Sequence, residues 1–221
     1  MLAQWIAGVT FTDQLPVLPL ERIALEGEVP DFSPSARQFA KNWTFTRRLL
    51  SDVLRGSFGR SDSGHKRYPS AGALYPVMPL LCVLSPTAVE DLTPGAFAFD
   101  SRAPGLLRLT EWSSEVLEDI KMLASPFGVA PSDTLIAYSI DVRRAVTKYR
   151  YKGYRHGLIE IGLMAQAFRE ALRDVDGGNG LGERCWSAFA DNAFTAACGL
   201  NVRLAPISLL QWFGKMDDEL K

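Results

Sequence analysis

Metal-binding and disulfide-forming side chains are scarce in this sequence. Its histidines are His65 and His156 alone, and its three cysteines, Cys82, Cys185 and Cys198, form no Cys-x-x-Cys pair. An odd, widely spaced set of thiols argues against a disulfide framework and a zinc knuckle. Metal catalysis needs a cluster of such ligands, and the sequence offers none. Long apolar runs are missing too, so no segment reaches the roughly 20 residues that span a bilayer. Charge of one sign is not in excess: 24 Lys and Arg stand against 25 Asp and Glu, for a net charge of -1. Nothing therefore pulls the whole chain toward nucleic acid or an anionic membrane, and any anion site must be local. No Lys or Arg precedes Arg22. The mildly apolar residues 1–7 thus do not read as a secretory signal, and the cytoplasm is the expected compartment.

What is present suits one sizeable domain with a proper core, at 47% hydrophobic and 22% charged residues. Residues 1–32 carry Pro16, Pro19 and Pro30 without a sustained period and are expected to form an irregular arm before a domain at 33–221. Ser33-Pro34 predicts a helix start carrying Arg37, Phe39 and Ala40. Leu49, Leu50, Val53 and Leu54 predict a second helical face, ended by Gly56, with a polar loop over 57–66. Strands are expected over 77–84, where Pro79 argues for an edge or a bulge, and over 96–100 and 106–110 as a hairpin. A buried strand is expected over 134–141 and a last one over 205–213. Ser114 is placed to cap a helix through Val116, Leu117, Ile120 and Leu123. The longest helical pattern runs over 154–175, with Leu158, Ile161, Ala165, Phe168 and Leu172 on one face. It is rich in glycine and alanine, and each interior glycine costs about 1 kcal/mol relative to alanine, which close packing must offset. A flexible loop over 176–182 follows, then a short helix from Asp191 to Gly199. Strands and helices do not alternate strictly, which predicts an α+β fold.

Two stretches carry the chemistry. In the first, Lys66-Arg67-Tyr68-Pro69-Ser70-Ala71-Gly72-Ala73-Leu74-Tyr75-Pro76, two cations lead into a turn of small residues whose amides a flat ligand can approach closely. The second, Lys148-Tyr149-Arg150-Tyr151-Lys152-Gly153-Tyr154-Arg155, sets four cations and three phenols just before the long helix, which continues with Leu158, Glu160, Gly162 and Gln166. A basic loop and a solvated helix start are the ordinary readings of such runs. Together, in this order, they resemble the signatures of the SagB-type flavin oxidoreductases, a branch of the nitroreductase superfamily that includes azoline dehydrogenases of thiazole- and oxazole-modified peptide pathways.

The resemblance implies a nitroreductase-like α+β fold, with a mostly antiparallel sheet flanked by helices, and an FMN cofactor at a homodimer interface. It implies oxidation of azoline rings to azoles in a ribosomally made peptide, with a cyclodehydratase as partner. Lys148 and Tyr149 fall on the family's catalytic Lys-Tyr pair. Flavin N5 would take the hydride, while Lys148 takes the proton and Tyr149 relays it or holds the substrate. A lysine serves as a base near neutrality only if desolvation or neighbouring cations lower its pKa. Ser70, Ala71 and Gly72 match positions that line the flavin. Arg37 matches the second arginine of the family's Arg-x-x-Ser-x-Arg-x-Phe entry, whose first arginine is replaced here, and Lys215 matches the basic end of the last strand. Both are candidates for the phosphate. Ser187 and Ala188 lie where the family passes the N5 edge, although glycines are usual there. Cys185 and Cys198 are expected to be core sulfurs, and His156 a structural or ring-contacting residue. Two other readings stay open: an NAD(P)H-driven nitroreductase-like flavin reductase, and a non-catalytic scaffold subunit of a peptide-modifying complex.

Overall fold

A computed structural model describes residues 38–125 and 128–217. The expected arm over 1–32 and the candidate phosphate ligand Arg37 lie outside the described residues. Where the first expected helix enters view it is corrected. Phe39 bridges Met216 in an antiparallel sense, and the Ala40 N–H donates to the Lys215 carbonyl at 2.8 Å. Phe39 is buried there, so extended pairing with the sheet overrides the helix signal.

Six strands form one sheet: β1 (Val77–Val83), β2 (Gly95–Asp100), β3 (Gly105–Glu111), β4 (Thr134–Ile140), β5 (Leu181–Trp186) and β6 (Ile207–Lys215). Their order is β3-β2-β1-β4-β6-β5, and every pair is antiparallel. The helices are α1 (Arg47–Phe58), α2 (Leu117–Ala124), α3 (Val142–Tyr149), α4 (Tyr151–Val175) and α5 (Asp191–Ala197). Side chains alternate across the strands. Leu81, Ile136, Tyr138 and Phe213 join α1 and α4 in one apolar cluster. Leu80, Leu135, Ala137 and Trp212 join α2 and α5 in the other. Both faces of the sheet are therefore covered, and all seven residues of β4 are buried.

Several boundaries differ from expectation for local reasons. Helix α1 runs past Gly56 to Phe58, with Gly59 as its C-cap; Gly56 packs within the helix beside Ala171 of α4. Pro79 sits in a central strand, paired with Tyr138 of β4. The ladder to β2 begins only at Leu80, so Pro79 has no strand partner on that side. Val116 holds the N-cap position of α2, with no side-chain cap from Ser114. Ala190 rather than Asp191 holds the N-cap position of α5.

Strand β5 begins in the last two residues of the expected loop over 176–182 and runs on to Trp186, where no strand was expected. One of its two buried residues is a carboxylate: Glu183 accepts from Gln211 Nε2 at 2.7 Å and from Arg169, and Gln211 Oε1 accepts from the Tyr138 hydroxyl at 2.6 Å. Polar groups pin this strand, so an apolar alternation could not reveal it. Cys198 is buried as expected, but Cys185 is exposed on this edge strand.

Candidate active site

Helix α3 was not foreseen as a separate element. The Asp141 carboxylate caps it by accepting from the Arg144 N–H at 3.1 Å. Lys148 and Tyr149 are its last two residues. Arg150 then takes φ 49°, ψ -133° and turns the chain into α4. Gly153 makes the reversal possible, because a β-carbon there would overlap the Ala145 carbonyl. Folded back in this way, the Tyr149 ring meets His156 of α4 edge-on, centroids 4.7 Å apart.

The small-residue turn lies against the same two side chains. Ser70 Oγ accepts from the Tyr75 N–H at 2.9 Å, and the Ser70 carbonyl accepts from the Ala73 N–H at 3.0 Å. Gly72, Ala73 and Tyr75 all take positive φ, at 62°, 54° and 47°. A non-glycine residue held there stores on the order of 1–3 kcal/mol of strain, which its surroundings must sustain. A β-carbon added at Gly72 would come to 2.7 Å from the Tyr149 hydroxyl and 3.0 Å from Lys148 Nζ. The bare backbone of one motif thus faces the catalytic pair implied by the other.

Behind the turn is a buried polar group that the sequence placed in a motif without a role. Glu160 is 2% exposed and its Oε1 has no hydrogen-bond partner. Burial pushes its carboxyl up; the nearby Ser70 hydroxyl, Val77 N–H, Lys66 and Arg144 pull the other way. The signal that marks it is an acid on the same helical face as Gly157, Ile161 and Met164. Lys66, Tyr68 and Tyr75 were likewise unassigned. Lys66 Nζ donates to the Tyr68 hydroxyl at 3.0 Å and lies over the rings of Tyr68 and Tyr75. Burial, then the Arg60 guanidinium, lowers its pKa to about 8. Arg67 ties the same stretch to α4 through Asp174, at 2.7 Å, and Glu170, at 3.4 Å.

Ser70, Ala71, Gly72, Lys148 and Tyr149 are therefore brought together. The other candidates lie elsewhere. Lys215 Nζ sits over the Trp43 ring at 5.2 Å. Ser187 and Ala188 are exposed after β5. Val77 pairs Ile140 at one end of β4, while Thr134 at its other end pairs Phe213, two residues from Lys215. A seven-residue strand spans about 20 Å. Lys148 is itself exposed, so this one chain does not supply the desolvation expected around it. No group of metal-binding side chains occurs among the described residues.

The sheet order and the helices that cover it define a nitroreductase-like fold. No family model matches the sequence. The chain is similar to the microcin B17-processing protein McbC of Escherichia coli, with 29% identity over 195 residues, 84% of this chain and 68% of that protein. It is also similar, at 29% identity over 189 residues, to MJ1384 of Methanocaldococcus jannaschii, which carries a nitroreductase assignment; 84% of this chain and 88% of that protein are covered. Among solved structures, the Escherichia coli microcin synthetase McbBCD complex with truncated pro-MccB17 bound contains a chain that matches with a TM-score of 0.78. The identity is 24%, over 93% of this chain and 79% of that one. The resemblance carried by the two motifs thus extends over most of the sequence.

Proposed function

We propose that the protein is an FMN-dependent dehydrogenase that oxidises azoline rings to azoles in a ribosomally made peptide. The observation that carries this reading is the meeting of Gly72 with Lys148 and Tyr149. Oxidising the ring removes a hydride from one carbon and a proton from its neighbour. Bound FMN supplies the hydride acceptor. The small side chains of Ser70, Ala71 and Gly72 leave backbone that a flat ring can approach closely, with Lys148 and Tyr149 packed against the same turn. Lys148 Nζ takes the ring proton, and the Tyr149 hydroxyl beside it holds the substrate or passes the proton on.

The remaining cofactor candidates support a homodimer in which each FMN lies between subunits. Lys215, with Arg37, would hold the phosphate, and Ser187 and Ala188 would border the ring. Lys215 ends β6, while Gly72 lies in the turn before β1, near the opposite end of β4, so a second subunit would complete the site. Exposed Tyr154, Leu158, Ile159 and Leu163 on α4 offer an apolar face for the second subunit. Covering that face would also remove water from around Lys148. By analogy with the complex named for McbB, McbC and McbD, the dimer would assemble with a cyclodehydratase that delivers the peptide.

The test is to incubate purified protein and FMN with a thiazoline-containing peptide in air and follow its mass. Loss of two hydrogens per ring is expected, without NADH consumption. The likeness to MJ1384 favours a second reading, an NAD(P)H-driven reductase. Stoichiometric NADH oxidation with no change in the peptide would select it.

A further inference from the structure

A cleft of about 530 Å³ opens beside the small-residue turn, where β1 and β2 separate. Their ladder ends at Leu80 and Ala98. Beyond that point Val77, Met78 and Pro79 pair with β4 only, and Phe99 and Asp100 with β3 only. The facing edges of both strands line the cleft. Pro79 accounts for the parting, since it cannot donate to a ladder.

The cleft is cationic. Arg60, Lys66, Arg102, Arg143 and Arg144 line it. Among the described residues none of the five is in an ion pair. The two carboxylates present are engaged with backbone: Asp100 accepts from the Arg102 N–H at 2.8 Å, and Asp141 caps α3. Tyr75, stacked under Arg60 at 4.9 Å, forms the wall toward the Ser70 turn. Arg144 lies one helical turn before Lys148, about 6 Å along the axis.

We infer that this cleft binds an extended, acidic segment of the peptide substrate, adding it as a strand against β1 or β2 while carboxylates meet the five cations. Open strand edges recognise extended chains through backbone hydrogen bonds, and the charge selects which chains. The segment would flank the ring being oxidised, holding it at Lys148. This rests on the peptide-substrate reading above.

The test uses full-length protein and a short fluorescent peptide alternating Glu and Val, compared with its Gln-Val counterpart by anisotropy. Expected is binding of the Glu peptide at least about tenfold tighter than the Gln peptide. The preference should weaken as salt rises and disappear in the Arg102→Glu, Arg143→Glu double variant. Equal binding of the two peptides overturns the inference. So does displacement of the Glu peptide by stoichiometric FMN or by inorganic phosphate, either of which assigns the cations to a phosphate. Binding is read without turnover, so the two ideas fail separately. A protein that selects the Glu peptide but oxidises no azoline contradicts the dehydrogenase, whereas one that oxidises azolines without selecting it contradicts only the cleft.

Discussion

The hydroxyl of Tyr149 lies 2.7 Å from the point where a β-carbon on Gly72 would stand. Two motifs distant in sequence are joined there, and only a glycine fits between them. Gly72→Ala must move Tyr149 and also hold alanine at φ 62°. A loss of about 1 kcal/mol or more is expected in urea unfolding, together with reduced turnover. An unchanged midpoint and rate would show that the contact is dispensable.

Lys148→Ala leaves the turn and both cores intact, so the variant should fold and retain flavin. Its turnover should fall on the order of 10²-fold or more. Tyr149→Phe keeps the ring packed on His156 and removes only the hydroxyl, so a slower enzyme of unchanged stability is expected. Wild-type rates in either variant would remove that residue from the proposed chemistry.

Glu160 gives a pH-dependent outcome. Its carboxyl pKa is raised by burial, so the folded state binds a proton that the unfolded chain has already released as pH climbs above the usual carboxylate range. The wild type loses stability across that window, and Glu160→Gln does not. Urea titrations at pH 4 and pH 8 should show the variant gaining on the wild type at the higher pH. A gap that stays constant would mean that the buried charge is compensated.

The first motif, the long helix and the central strands were legible because apolar period and small-residue turns announce themselves locally. Tyr149 and Gly72 could be named, but not their contact, which depends on the chain reversal at Arg150. Strand β5 was hidden because Glu183 and Gln211 bury polar groups where a pattern search expects apolar ones. Phe39 was misread because pairing with Met216 outweighed a helix signal beginning at Ser33. Lys66 and Glu160 escaped notice because the fold, not sequence spacing, brings each within the influence of the other's charge.

The exposed face of α4 predicts an oligomer. Ile159→Glu places a charge among Tyr154, Leu158 and Leu163, and should convert a dimer to monomers in analytical ultracentrifugation while lowering FMN retention. A wild-type monomer that holds FMN stoichiometrically would refute the two-subunit site.

The central claim is tested most directly by mixing oxidised, FMN-loaded protein with a thiazoline peptide in the absence of oxygen, and recording the visible spectrum and the peptide mass. The account predicts bleaching of the flavin, with two hydrogens lost from the peptide for each flavin reduced, and neither change in the Lys148→Ala variant. A spectrum that stays oxidised while the peptide mass is unchanged would contradict it.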